Sequence, residues 1–414
     1  MAEFNTGLNT GFTQEELQRY ARHFAVERIG VAGQKKIKNS SVLLIGAGGI
    51  GSPAAFYLTA AGIGHLGILD DDRVDLSNLQ RQILYSTADL GCLKSEQAAK
   101  KLLTQNPHIK ITSYPIRLNA SNALSIFKSF DLVIDGSDNY PTRYLVNDAC
   151  VTLKIPLISA SIFQFSGQIG VFNLNLNNSN HANPIQTACY RCLYPTPPPT
   201  ELIPNCAMAG VLGVVPGILA TMAVSEALKI ILNFPESKPQ LIIYDTLGPS
   251  LKTYALEKNP HCEICAQNKK FLELNNFQLK INNSCQIHTS QNLSSNLNSN
   301  LPTPISAQEL ADWFKNKDQN KNNFYLLDVR ESWEREINSI QPSLHIPLGY
   351  LHPDNLNNPD NSELLNILAH QKTSPLIIYC RSGARSQKAG INLIQAGYSN
   401  IYNLEGGILA WESL

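Results

Sequence analysis

The sequence predicts an α/β protein, a Rossmann-like open sheet followed by a smaller α/β domain. Three observations carry that expectation. An apolar run of β type, "SVLLIG", meets Gly-x-Gly-x-x-Gly at Gly46, Gly48 and Gly51 and passes into a helical pattern. Runs of β type then alternate with helical periodicity, the βαβα signature of a parallel sheet with helices on both faces. After Cys265 the composition turns Asn- and Ser-rich, and a second alternation opens at "ISAQELADWF".

The elements follow in order. Thr13 with Glu16 forms a capping box that opens a helix through "EELQRYARHF". The glycine turn leads into the helix of "GSPAAFYLTAAG", then strand "LGILD", helix "KSEQAAKKLLTQ" and strand "DLVID". "NYPTRYLVNDACVTL" is helical and "IPLISA" extended, while "GQIGVFNLNL" and "LIIYDTLG" add strands beyond the nucleotide half. The uncharged stretch "AMAGVLGVVPGILATMAV" runs directly into Ser225 and Glu226, which suits a buried core or interface helix better than a membrane span. These patterns divide the chain into a first domain at 13–265, a flexible linker at 266–302 and a second domain at 303–414. The second domain has strands at "FYLLDV" and "PLIIYC".

The 414 residues suit two or three domains. With 33 basic and 33 acidic residues the formal net charge is zero, and no basic tract points to nucleic acid or an anionic membrane. The N-terminus lacks the apolar core of a secretory signal, so a cytoplasmic setting is expected. The nine cysteines are not spaced as a secreted disulfide framework.

Gly46, Gly48, Gly49 and Gly51 let a phosphate approach the backbone at the positive end of the next helix, with Asp70 placed to bond ribose hydroxyls. This supports a nucleotide without choosing between NAD and ATP. Asn78, Arg81 and Lys94, in "DDDRVDLSNLQRQ" and "GCLKSEQ", would add a polar donor and two cations. Hydride transfer needs few such charges, whereas nucleotidyl transfer needs them to balance charge developing on phosphate oxygens. Asp138, in "DGSDN" after a strand, is placed for Mg²⁺. Cys189 and Cys192 with Cys262 and Cys265 supply two Cys-x-x-Cys turns, which together suit a tetrahedral Zn²⁺. Cys206, in "PNCAMAG", stands apart from these pairs and by itself reads as a small buried hydrophobe.

"RYARHF", "GAGGIG", "DDDRVDLSNLQRQ", "GCLK", "GSDN", "CYRC" and "CEIC" stand in the order of the MoeB/ThiF family, and residues 13–265 resemble it. The resemblance implies adenylation by Mg-ATP of the C-terminal glycine carboxylate of a ubiquitin-like sulfur-carrier protein ending in Gly-Gly. It assigns ATP binding to Gly46, Asp70, Asn78, Arg81 and Lys94, and Mg²⁺ to Asp138. It also implies that Arg22 reaches the other subunit's site in a homodimer. Cys206 matches a cysteine given a thiol-transfer role in some members.

"PLIIYCRSGARSQKAG" sets Cys380 in a short loop with Arg381 and Arg385 before a helix, a cradle that stabilises an anionic sulfur. A phosphatase loop has the same physical features. With "LLDVRESWERE" and "LEGGILAW", residues 306–414 resemble rhodaneses. The two resemblances together imply that Cys380, loaded as a persulfide by a donor such as thiosulfate or a cysteine desulfurase, passes sulfur to the adenylated carrier. Molybdopterin biosynthesis is then the leading setting. Thiazole and tRNA-thiolation carriers stand behind it, and an NAD-dependent oxidoreductase is the remaining rival.

Overall fold

Strand β1 (Ser41–Ile45) is apolar on both faces, and the first sheet grows outward from it. In this computed structural model the described residues are 11–176, 185–197, 210–267, 301–315, 324–351 and 372–414. They fall into two units, Met1–His288 and Thr289–Leu414.

In the first unit, β2 (His65–Leu69), β3 (Lys110–Tyr114), β4 (Leu132–Asp135) and β5 (Leu157–Phe163) join β1 in parallel, in the order β3-β2-β1-β4-β5. Strand β6 (Ser166–Phe172) turns back on β5. After the two-stranded β7 (Asn175–Leu176) and β8 (Ile185–Gln186), strands β9 (Gln240–Asp245) and β10 (Ser250–Ala255) extend the sheet antiparallel to eight strands. The sheet is therefore mixed, not parallel throughout. The physical reason is connection length: β5 to β6 and β9 to β10 are joined by tight hairpins, which only antiparallel neighbours accept.

Alternate side chains of β1 feed different cores. Val42 and Leu44 join one cluster with Ile68, Leu102, Leu132 and Leu219, and Leu43 and Ile45 join another with Phe127, Val133, Val146 and Phe172. Burial on both faces explains why the strand reads as an unbroken apolar run. Seven of the helices here are α1 (Gln14–Arg19), α2 (Ala21–Phe24), α3 (Gly30–Asn39), α4 (Gly51–Ala61), α5 (Lys94–Gln105), α6 (Ala123–Phe127) and α7 (Tyr140–Leu153). The short α8 (Tyr190–Leu193) and the long α9 (Val214–Leu232) follow.

Thr13 and Glu16 do form a capping box, but the helix they open stops at Arg19. Tyr20 interrupts it with φ −96° and ψ 10°. Its ring is buried and its hydroxyl accepts a hydrogen bond from Asn106 Nδ2 at 2.9 Å, so tertiary packing overrides helical periodicity there. Helix α9 is long and apolar enough to cross a membrane by composition. Here Val215, Leu219, Ala220 and Ala223 are buried, and it packs on α4, β5 and β6.

The second unit is a five-stranded parallel sheet. Its order is β11 (Thr303–Ile305), β15 (Ile401–Leu404), β14 (Leu376–Tyr379), β12 (Tyr325–Asp328) and β13 (Leu344–His345). Helices α10 (Ala307–Lys315), α11 (Ser332–Ile337), α12 (Ala384–Gln395) and α13 (Gly407–Trp411) belong to it. Alternation along β14 again serves two cores, Leu376 and Ile378 on one face and Ile377 and Tyr379 on the other. Most of the expected linker, 268–300, lies outside the described residues.

Phe127 is fully buried in the first unit. Phe127→Ala should cost that unit about 3–5 kcal/mol through lost transfer energy and a residual cavity. Urea unfolding should show the first unit's transition moving to lower denaturant while that of 289–414 stays in place.

Candidate nucleotide site, metal site and sulfur loop

The glycine turn is forced by space. A Cβ on Gly51 would lie 1.8 Å from the Gly46 carbonyl oxygen, so the first turn of α4 can approach the end of β1 only without a side chain. Gly46 itself has φ +86° and donates its N–H to Leu69 O at 2.8 Å. Beneath the loop, Asp70 Oδ2 accepts the Ala47 N–H at 2.7 Å and Oδ1 accepts the Asp72 N–H at 2.8 Å. Burial pushes the Asp70 carboxyl up, while the Ala47 N–H and the nearby charge of Lys94 oppose that shift. The residue expected at the ribose is thus also a strut for the glycine turn.

The structure brings the expected cations to this loop. Arg81 Cδ is 3.5 Å from where a Gly49 Cβ would stand, and its guanidinium donates to Ser77 O at 3.0 Å. Asn78 ends the 3-10 turn Leu76–Asn78, whose start Asp75 caps by accepting the Ser77 N–H. Lys94 opens α5 with a buried side chain, and its Nζ meets Asp72 Oδ2 at 2.9 Å. Tyr85, which carries no motif signal, couples the pieces: its buried hydroxyl is 3.0 Å from Ala47 O and 3.1 Å from Lys94 O. Burial is the main cause of the upward shift of that phenol, so it stays a donor.

Across the loop lies the end of β4. Gly136 O is 3.3 Å from the Gly46 Cβ position, so the β1 and β4 turns abut at the sheet's topological switch point, where open α/β sheets bind ligands. Asp135 is fully buried and accepts from the Ser137 N–H at 2.9 Å, and burial pushes its carboxyl up. Arg143 donates to Ser137 O from Nε and a terminal nitrogen, at 3.2 and 2.8 Å. Asn139 caps α7 by accepting the Thr142 N–H at 2.9 Å. These contacts fix the turn that carries the exposed Asp138. Arg22 is exposed on α2, which packs on α3. Cys206 lies outside the described residues.

Cys189, Cys192, Cys262 and Cys265 converge. Sulfur separations are 3.8 Å for 189–192, 3.6 Å for 189–262 and 3.4 Å for 192–265. A tetrahedral ion with Zn–S near 2.3 Å has sulfurs about 3.8 Å apart, so the four thiols fit Zn²⁺. Helix α7 supports them from below: Asn147 Oδ1 accepts the Tyr190 N–H at 2.8 Å, and Asp148 pairs Arg191 through two 2.8 Å contacts. Hydrogen bonding with Cys189, and then with Cys265, pushes Cys192 down to about 6, while hydrogen bonding with Cys192 and Cys262 pushes Cys189 up.

In the second unit Cys380 follows β14. Its Sγ accepts the Gly383 N–H at 3.1 Å and lies 3.4 Å from the Ser386 hydroxyl. Gly407, at φ +59°, lets the "LEGGILAW" turn press on this loop, since a Cβ there would be 2.4 Å from Cys380 O. Ile408 N–H then donates to that oxygen at 2.8 Å. One expectation changes: the Arg385 guanidinium does not act as an uncommitted cation for the sulfur. Glu334 binds both its terminal nitrogens at 2.6 and 2.7 Å, because α11 directs that carboxylate into the loop. Neither Glu334 nor Tyr85 could have been picked from sequence, since each acts across a long separation in the chain.

Residues 20–264 match the ThiF family and residues 306–414 match a rhodanese-like domain. The chain is similar to the probable adenylyltransferase/sulfurtransferase MoeZ of Mycobacterium tuberculosis, at 37% identity over 97% of this chain and 94% of that one. It is similar to the sulfur carrier protein adenylyltransferase of Thermus thermophilus at 43% identity, over 64% of this chain and 97% of the other. A crystal structure of E. coli MccB with MccA-N7isoASN shares the fold at TM-score 0.52 and 22% identity, covering 62% of this chain and 76% of that one.

Two outcomes follow from this geometry. Gly51→Ala should weaken ATP binding on the order of 100-fold by displacing the loop, read by titration calorimetry. Cys189→Ser and Cys262→Ser should each lower bound zinc, measured by elemental analysis, and destabilise the first unit by several kcal/mol, on the order of a lost structural metal.

Proposed function

The chain belongs to the ThiF family and carries a rhodanese-like domain after it, and from that premise we propose that it activates and then sulfurates the C-terminus of a ubiquitin-like sulfur-carrier protein. One observation carries the reading: the same polypeptide holds a glycine turn flanked by Arg81 and Lys94 and a Cys380 loop built to receive sulfur. A nicotinamide enzyme has no use for the second.

In the first step a carboxylate oxygen of the carrier's terminal glycine attacks the α-phosphorus of ATP. The bond to pyrophosphate breaks, and an acyl-adenylate forms. Arg81 and Lys94 stabilise charge developing on the phosphate oxygens. Asp72, paired with Lys94 and largely exposed, gives up that contact to the phosphates. Asp138 would hold Mg²⁺ beside them, and Asn78 and Asp70 would orient the nucleoside. In a homodimer the exposed Arg22 of one subunit would complete the other's site.

Activation is needed because a free carboxylate resists attack, whereas AMP leaves readily. Cys380, carrying a persulfide, attacks the acyl carbonyl and expels AMP, giving an acyl disulfide. A second thiol, Cys206 or an external one, attacks the Cys380 sulfur. The carrier then leaves as a thiocarboxylate, and a mixed disulfide remains on Cys380. The four zinc-site sulfurs take no part in these steps; their metal would tie the 189–192 turn to the 262–265 turn. Cysteine chemistry of this kind belongs in a reducing cytoplasm. A carrier of molybdopterin biosynthesis is the leading candidate, ahead of thiazole and tRNA-thiolation carriers.

Cys380→Ser should leave carrier-dependent exchange of labelled pyrophosphate into ATP close to wild type and abolish thiocarboxylate formation, read as a carrier mass gain of sulfur for oxygen. Loss of both activities in that variant would break the scheme.

A further inference from the structure

The charges around Cys380 cancel in a particular way. Arg385 is bound bidentately by Glu334, and both side chains are largely shielded, at 14% and 10% exposure. Glu334 Oε2 also accepts the Glu331 N–H at 3.1 Å, so the carboxylate is held by its own helix as well as by the loop. The next cation inward, Arg330, is spent on Asp328 at 2.9 and 2.7 Å and on Asn338 Oδ1 at 2.8 Å. Among the described residues, what is left around the sulfur is the exposed Arg381, next to Cys380 in the chain, the Gly383 N–H, the Ser386 hydroxyl and the positive end of α12.

Such a cradle matches one negative charge, not two. A phosphate or a thiosulfate brings two and would leave one uncompensated at a site of reduced dielectric. An alkyl persulfide brings one charge at most. We propose that Glu334 is a specificity-determining residue: by neutralising Arg385 it disfavours dianionic sulfur donors and selects a persulfide. The inference rests on the sulfurtransferase reading of Cys380 and names the class of donor that loads it.

With a persulfide R–S–SH, the Cys380 thiolate attacks the outer sulfur. The new Cys380–S bond forms as the R–S bond breaks, the donor leaves as the thiolate R–S⁻, and the proton stays on the transferred sulfur. With thiosulfate the same attack expels sulfite, SO₃²⁻, which leaves with both negative charges and needs more positive potential behind it. No external oxidant or reductant enters either route.

The test compares kcat/KM for loading Cys380 of the full chain from thiosulfate and from cysteine persulfide, read by cold cyanolysis of the protein-bound sulfur. Glu334→Gln should raise the thiosulfate-to-persulfide ratio about tenfold, the order of one uncancelled charge in a partly wet site. Arg385→Gln leaves Glu334 unpaired and should lower the ratio, and the double variant should return it toward wild type. A ratio that does not move in opposite directions in the two single variants overturns the proposal. A uniform loss with both donors overturns it too, and marks the pair as scaffolding only. Should Glu334→Gln fail to fold, Arg385→Gln and the double variant decide alone. If neither donor loads the wild-type chain, the sulfurtransferase reading itself falls. If both load it and the ratio is fixed, only the role of Glu334 does.

Discussion

A carbonyl oxygen sits where the Cβ of any other residue at position 51 would have to be. The contact between Gly46 O and the first turn of α4 brings that helix's N-terminus close to the end of β1, and the first unit's chemistry depends on this. Everything around the turn holds it from another side. Asp70 takes the Ala47 N–H, Tyr85 reaches the Ala47 and Lys94 carbonyls, and Gly136 closes against Gly46. The turn is preorganised: little reorganisation is left for the moment a phosphate arrives. The second unit uses the same device. Gly407 permits the close backbone approach that fixes the carbonyl of Cys380 and leaves the Gly383 N–H aimed at its sulfur.

Lys94, Arg385 and Arg191 are each held by a carboxylate, and these carboxylates differ in exposure. Asp72, the partner of Lys94, is 72% exposed, so its attraction is screened and a phosphate can displace it. Glu334 is shielded and bidentate on Arg385, and Asp148 grips Arg191 in the same way under the cysteine cluster. Those pairs are costly to separate, because either partner would remain buried and unpaired. The exposure of the carboxylate thus distinguishes a cation that a phosphate could recapture from one that the fold has neutralised.

The cysteine cluster joins distant parts of the first unit. One pair of sulfurs sits beside α7 and the other follows β10, and their separations suit one tetrahedral ion. Asn147 and Asp148 on α7 are buried because they serve this turn, which explains polar residues in the middle of an otherwise apolar helix face.

Local residue patterns determined much of this protein by themselves. Unbroken apolar runs announced strands buried on both faces, Gly-x-Gly-x-x-Gly marked the turn, and each Cys-x-x-Cys marked one half of the cysteine cluster, because each of these features lies within a few consecutive residues. The tertiary structure alone decided the break at Tyr20, the antiparallel extension of the sheet, the tie through Tyr85 and the capture of Arg385 by Glu334. Each of these joins residues far apart in the chain or depends on how one strand is laid beside another. Periodicity and motif spacing record only what neighbours along the chain do, and a charge's availability depends on which distant group the fold sets beside it.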